Sequence, residues 1–146
     1  MTVTVEVVLE PASLKKEDGD TLTGIIYFDF GDIRFPGGGW NDFPGNLIWW
    51  WINELLRVDG AKNANGLFRF MDGPQEIQFK FKTPAVCELQ CLNGGKDIKR
   101  DVSVATLKRT LVEAADVLAS ECARRGWDED AGTARISAGR GRSAWL

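Results

Sequence analysis

A chain of 146 residues, 44% hydrophobic and 27% charged, has the length and balance of one ordinary soluble domain with a real core. Its 18 basic and 21 acidic residues leave a net charge of −3, too small and of the wrong sign for a general binder of nucleic acid or anionic membrane. Histidine is absent, which removes the commonest general base, the commonest metal ligand and every Ser–His or Cys–His nucleophile pair.

Val3, Val5, Val7 and Leu9 alternate with Thr4, Glu6 and Val8 and predict a half-buried strand. The opening Met1–Glu6 has no basic stretch and carries an acid among its apolar residues, so no signal peptide is expected. Glu10 to Asp20 is a polar loop; its Asp18-Gly19-Asp20 begins like a calcium loop but lacks the later ligands. A second strand runs from Leu22 to Phe30, with Ile26, Phe28 and Phe30 inward and Tyr27 and Asp29 on the solvent side. Ile33–Phe35 is a short extended piece leading into Pro36 and three glycines. That glycine run lacks the Gly-Lys-Ser/Thr of a phosphate loop and reads as a turn.

Asn46 to about Val58 has helical periodicity, with Ile48, Ile52, Leu55 and Leu56 on one face flanked by Trp49 and Trp51. Trp50 falls on the opposite side with Asn53, Glu54 and Arg57. It is either covered by the Pro36–Trp40 loop or exposed as an anchor for a partner. The longest unbroken apolar run, Leu47 to Ile52, is far short of a membrane span. Asp59 to Gly66 is a polar loop. Strands follow at Leu67–Phe70, around Ile77–Phe81, around Cys87–Cys91 and, more weakly, at Asp97–Val102. Turns at Met71–Pro74, Thr83-Pro84 and Asn93-Gly94-Gly95 make them an antiparallel meander with one apolar face.

Ser103 is the expected N-cap of a long helix from Val104 to Arg125, stopped by Gly126. Gly132 to Leu146 has three arginines, no acid and mostly small residues, and is expected to be loosely docked or disordered. The whole is expected to be an α+β domain over residues 1–130, followed by a Gly/Arg-rich tail over 131–146. Its core would be one antiparallel sheet of five to six strands, covered on one face by two helices.

Cys87, Cys91 and Cys122 are an odd set. On one strand, Cys87 and Cys91 would lie about 13 Å apart, too far for a disulfide, so reduced core thiols and a cytoplasmic compartment are expected. Asp42 and Asp72 are the only loop carboxylates that tempt a paired-acid hydrolase, and each reads first as a turn or helix-start residue. No metal or cofactor is expected. Residues 1–60 hold 10 acids against 4 bases, a bias that would steer a basic partner.

Phe35-Pro36-Gly37-Gly38-Gly39-Trp40-Asn41-Asp42-Phe43, Trp49-Trp50-Trp51 and Phe70-Met71-Asp72-Gly73-Pro74 together form a pattern. It resembles a family of small bacterial immunity proteins of polymorphic-toxin and contact-dependent systems, with Phe-Pro-x-x-Gly-Trp-x-Asp-Phe, a Trp-Trp helix and a Phe-Met-Asp-Gly-Pro turn. The resemblance spans roughly residues 20–127; the tail departs from it, standing in place of a short terminal helix. It implies a non-enzymatic protein that binds and neutralises a cognate toxin domain, a monomer or weak dimer when free. The partner-facing residues are expected to be Trp50, Asn53, Glu54 and Arg57 or, as the rival face, Asp29 and Asp32. A self-associating adaptor and a carboxylate hydrolase are the alternatives.

Overall fold

The computed structural model describes residues 1–16, 20–59, 61, 64–93 and 96–146, so the expected Asp18-Gly19 and Gly94-Gly95 turn residues lie outside the described residues. Strands β1 (Glu6–Leu9) and β2 (Lys15–Lys16) both pair antiparallel with β3 (Leu22–Asp29). So do the two-residue strands β4 (Arg34–Phe35) and β5 (Asn41–Asp42). β3 is thus the spine of a five-stranded sheet. A second, four-stranded sheet is a meander of β6 (Asn65–Arg69), β7 (Glu76–Phe81), β8 (Val86–Asn93) and β9 (Lys96–Ser103). Where one sheet was expected there are therefore two. β4 and β5 are too short to carry a ladder onward, and the link is a parallel bridge in which Val3 N–H donates to the Asp101 carbonyl at 2.8 Å.

Helix α1 (Pro44–Val58) starts two residues before the expected Asn46, because Pro44 at the first helical position needs no hydrogen-bond acceptor. Helix α2 (Val104–Arg124) opens as its sequence predicts: the Ser103 hydroxyl accepts from Thr106 N–H at 3.3 Å. At its end Trp127 N–H reaches the Cys122 carbonyl (2.8 Å) and Gly126 N–H the Ala123 carbonyl (3.1 Å), with Gly126 at φ +76°. That is a Schellman stop, which only glycine accommodates without strain.

The tail expected to be loose is a third helix, α3 (Asp128–Trp145). Its Ala131, Ala134, Ser137, Ala138 and Gly141 are buried at helical spacing, so α3 lies close against α2 and also touches α1. Small side chains, read as a sign of looseness, are what allow two helix backbones to approach. Asp128, Glu129 and Asp130 in its first turn complement the helix dipole.

One aromatic cluster joins both sheets to α1. The Phe28 ring lies 5.0 Å from Trp51 and 5.7 Å from Phe68, Trp51 lies 5.3 Å from Phe70, and Phe68 stacks on Phe79 at 4.4 Å. Gly66 faces Phe79 across the strands, and a Cβ there would come within 2.1 Å of the Phe79 ring. Two expected exposures differ. Tyr27, expected toward solvent, is buried, with the Arg34 guanidinium over its ring at 5.8 Å. Trp49, expected in the core, is only half-buried and carries Arg140 of α3 over its ring at 5.5 Å. Among the described residues no helix is long and apolar enough to cross a membrane.

Candidate functional site

The outward face of α1 presents Trp50, Asn53, Glu54 and Arg57 one turn apart, and the structure keeps them together on one surface. Trp50 is 42% exposed. The loop that was one alternative for its cover is engaged elsewhere: the Trp40 ring packs edge-on against Phe70 at 6.1 Å, and its indole N–H binds Asp42. The polar residues around Trp50 are held in place. Asn53 Nδ2 donates to the Trp49 carbonyl at 2.7 Å. The Glu54 carboxylate accepts from Arg57 Nε at 2.8 Å, Arg57 Nη2 at 3.0 Å and Leu67 N–H at 2.9 Å. The hydrogen bond from Arg57, with help from Leu67 N–H, holds the Glu54 carboxyl below its usual range.

These contacts also close a sheet edge. Among the described residues β6 has no strand beyond it, and three of its outward backbone groups are taken by α1: Leu67 N–H by Glu54, the Asn65 carbonyl by Arg57 Nη2 at 3.4 Å, and the Arg69 carbonyl by Trp51 Nε1 at 2.8 Å. Covering an edge this way removes a template for aggregation. It also fixes α1 beside the outer face of the four-stranded sheet. A concavity of about 440 Å³ lies between Trp49, Trp50, Asn53, Leu67 and Arg69. A second, of about 560 Å³, shares Glu54, Arg57 and Leu67 and extends over Gln78, Lys80, Glu88, Gln90 and Lys99.

Asp29 and Asp32, the rival acidic set, line neither concavity. Asp29 accepts from Gly31 N–H at 2.8 Å, sits 3.6 Å from Arg34 and borders a separate groove with Glu6 and Arg109. Asp32 is paired with Arg100, Oδ2 to Nη2 at 2.5 Å, and the hydrogen bond from that guanidinium lowers its pKa. Each acid has its own cation, so the two do not form a bare negative patch.

Asp42 is 1% exposed and accepts four N–H donors: Trp40 Nε1 (2.8 Å), Phe43 N (2.8 Å), Met71 N (3.3 Å) and Asp72 N (3.2 Å). It clasps the Trp40–Phe43 loop to the Met71–Pro74 turn, which explains why these two motifs occur in one chain. Asp72 lies exposed beside it, and its backbone, not its carboxylate, enters the clasp. The three thiols are free and buried; burial pushes Cys87 and Cys91 up to about 12 and Cys122 to about 11. Among the described residues no group of three or more His, Cys, Asp and Glu side chains could hold a metal ion.

Helical phase alone finds the α1 half of this surface. The sheet half, Leu67, Arg69, Lys80 and Lys99, was not singled out in the sequence. Its signal was the alternation of Gln78 and Lys80 or Glu88 and Gln90 with apolar residues, which marks an outer face without saying what lies next to it. No protein-family model, no curated protein and no solved structure matches this chain.

Proposed function

We propose that this chain is a non-enzymatic immunity protein that binds and neutralises a cognate bacterial toxin in the cytoplasm, with the toxin seated on the outward face of α1 around Trp50. The observation that carries this reading is an exposed tryptophan ringed by side chains already fixed by hydrogen bonds. A large aromatic anchor supplies binding energy in a desolvated contact. Neighbours that are ordered beforehand lose little entropy when the partner arrives. The Phe-Pro-x-x-Gly-Trp-x-Asp-Phe and Phe-Met-Asp-Gly-Pro resemblance points the same way.

The rival hydrolase would need two carboxylates free to face a substrate. Asp42 spends its lone pairs on four backbone and indole donors, which favours the binding reading. Self-association through the β6 edge is disfavoured by the α1 side chains that occupy it.

The test is co-expression with the polypeptide encoded immediately upstream, the usual place of a toxin paired with an immunity gene. Growth is expected to be restored by the wild-type chain and lost again with Trp50→Ala. A purified pair that neither binds nor protects would contradict the proposal.

A further inference from the structure

Sulfur is where a protein is most easily oxidised, and this chain carries it in three cysteines and two methionines. The fold treats the two kinds differently. Cys87, Cys91 and Cys122 are fully buried, and burial raises all three thiols so far that almost no reactive thiolate exists at neutral pH. Met1 is wholly exposed, and Met71 is 43% exposed. A methionine commonly fills a gap in a core. Met71 stands instead on the surface of the turn between β6 and β7, outside the hydrophobic core.

Met71 is held from two sides. Its backbone N–H donates to Asp42 Oδ1 at 3.3 Å, as part of the clasp. Its sulfur accepts from Asn46 Nδ2 at 3.6 Å, across to the first turn of α1. Asn46 is itself exposed and lies four residues before Trp50, so sulfur, amide and indole share one outward face. A thioether is a weak acceptor, whereas a sulfoxide is polar and accepts through its oxygen. The Asn46 amide is therefore a donor already in place, whose bond strengthens once the sulfur carries an oxygen.

We infer that Met71 is a reversible oxidation site of the folded chain, taking one oxygen from a peroxide to become a sulfoxide that Asn46 then holds. A sulfur lone pair attacks one oxygen of hydrogen peroxide as the O–O bond breaks. That oxygen stays on sulfur, the other leaves as water with both protons, and sulfur gives up the two electrons that peroxide gains. Methionine sulfoxide reductases reverse the step with two electrons and two protons from thiols, releasing the oxygen as water. Oxidising a core methionine disrupts the packing around it. At Met71 the new polarity meets water and an amide donor, so the fold is kept. The inference stands apart from the toxin-binding reading, although the modified sulfur shares a face with Trp50.

The test treats the full chain with limiting hydrogen peroxide and maps the added oxygen by digestion and mass spectrometry. Met71 is expected to oxidise at a rate within about fivefold of the wholly exposed Met1, and at least about tenfold faster than any of the three cysteines. The oxidised chain should melt within about 3 °C of the untreated one. Methionine sulfoxide reductases A and B together should return it to its starting mass without denaturant. The Asn46 side-chain amide signals in an NMR spectrum should move on oxidation and come back on reduction. In Met71→Leu, where Met1 alone takes oxygen, they should stay where they are. Oxidation of Met71 more than fivefold slower than Met1, oxygen arriving first on a cysteine, a larger fall in the melting midpoint, repair that needs urea, or Asn46 signals indifferent to the oxidation would each overturn the inference.

Discussion

Asp42 shows how a carboxylate that looks catalytic in a sequence becomes structural in a fold. It is buried, and its oxygens satisfy the indole of Trp40 and three backbone N–H groups from two separate loops. Removing it strands those donors in the interior, where each costs about 1–3 kcal/mol. Asp42→Ala is therefore expected to lose about 3 kcal/mol or more in urea unfolding, with Asp42→Asn intermediate; a loss below about 1 kcal/mol would contradict the clasp. The thiols give a pH signature. Folding raises Cys87 and Cys91 from 9.0 to about 12, so the folded chain keeps protons that the unfolded chain releases. Their contribution is complete below pH 9 and is lost as pH rises from 9 toward 12, by about 1.4 kcal/mol per pH unit for each thiol. Urea midpoints measured across that range should fall, and fall less steeply in a Cys87→Val/Cys91→Val variant. An identical slope in both proteins would show that the thiols are not the cause.

The helix α3 carries the clearest lesson at the scale of elements. It has three glycines, but only one is required by packing: a Cβ on Gly141 would sit 2.7 Å from Val112 Cγ2, whereas Gly132 and Gly139 have open space. Gly139→Ala should raise stability by about 0.5–1 kcal/mol, since glycine is costly inside a helix. Gly141→Ala should lower it, through overpacking against α2, by about 1–3 kcal/mol. Thermal melts of the two variants moving in the same direction would refute the docked helix. The same segment explains what was legible in the sequence. Ser103 and Gly126 announce the ends of α2 because caps are local chemistry, and the period-two alternation of β7 and β8 announces their faces. The large apolar residues of α3 are Ile136, which is exposed, and Trp145 at its end, and neither makes a stripe with the small buried ones, so helical phase had nothing to read until α2 was beside it. Trp49 and Tyr27 were misplaced for a related reason: the arginines that lie over their rings, Arg140 and Arg34, come from other elements. Half of the candidate surface followed from α1 alone. Its sheet half depends on Glu54 and Arg57 fastening α1 to β6, a long-range contact that no local pattern encodes.

Across the whole molecule, the two sheets share one aromatic centre, α2 covers β1 and packs with α3, and α1 closes the edge of β6. Thr110 of α2 does the same for β1, its hydroxyl accepting from Val7 N–H at 2.8 Å. Helix side chains thus bond to the edges of two sheets, while the outer face of the second sheet is mostly polar, with Leu67 and an exposed tryptophan at its rim. A molecule arranged this way offers a partner a preformed surface, and its affinity should rest on Trp50 more than on its stability does. Trp51, one residue on, is the counterpart: fully buried in the aromatic cluster, it should cost about 3–5 kcal/mol of stability when cut to alanine. The most direct measurement is the dissociation constant of the wild-type chain and of Trp50→Ala for the polypeptide encoded upstream, the proposed toxin, with urea unfolding of both proteins run in parallel. The account predicts binding weakened by about 2 kcal/mol or more, roughly thirtyfold, with stability changed by no more than about 0.5 kcal/mol. Unchanged affinity, or a loss of stability on the scale expected for Trp51→Ala, would contradict it.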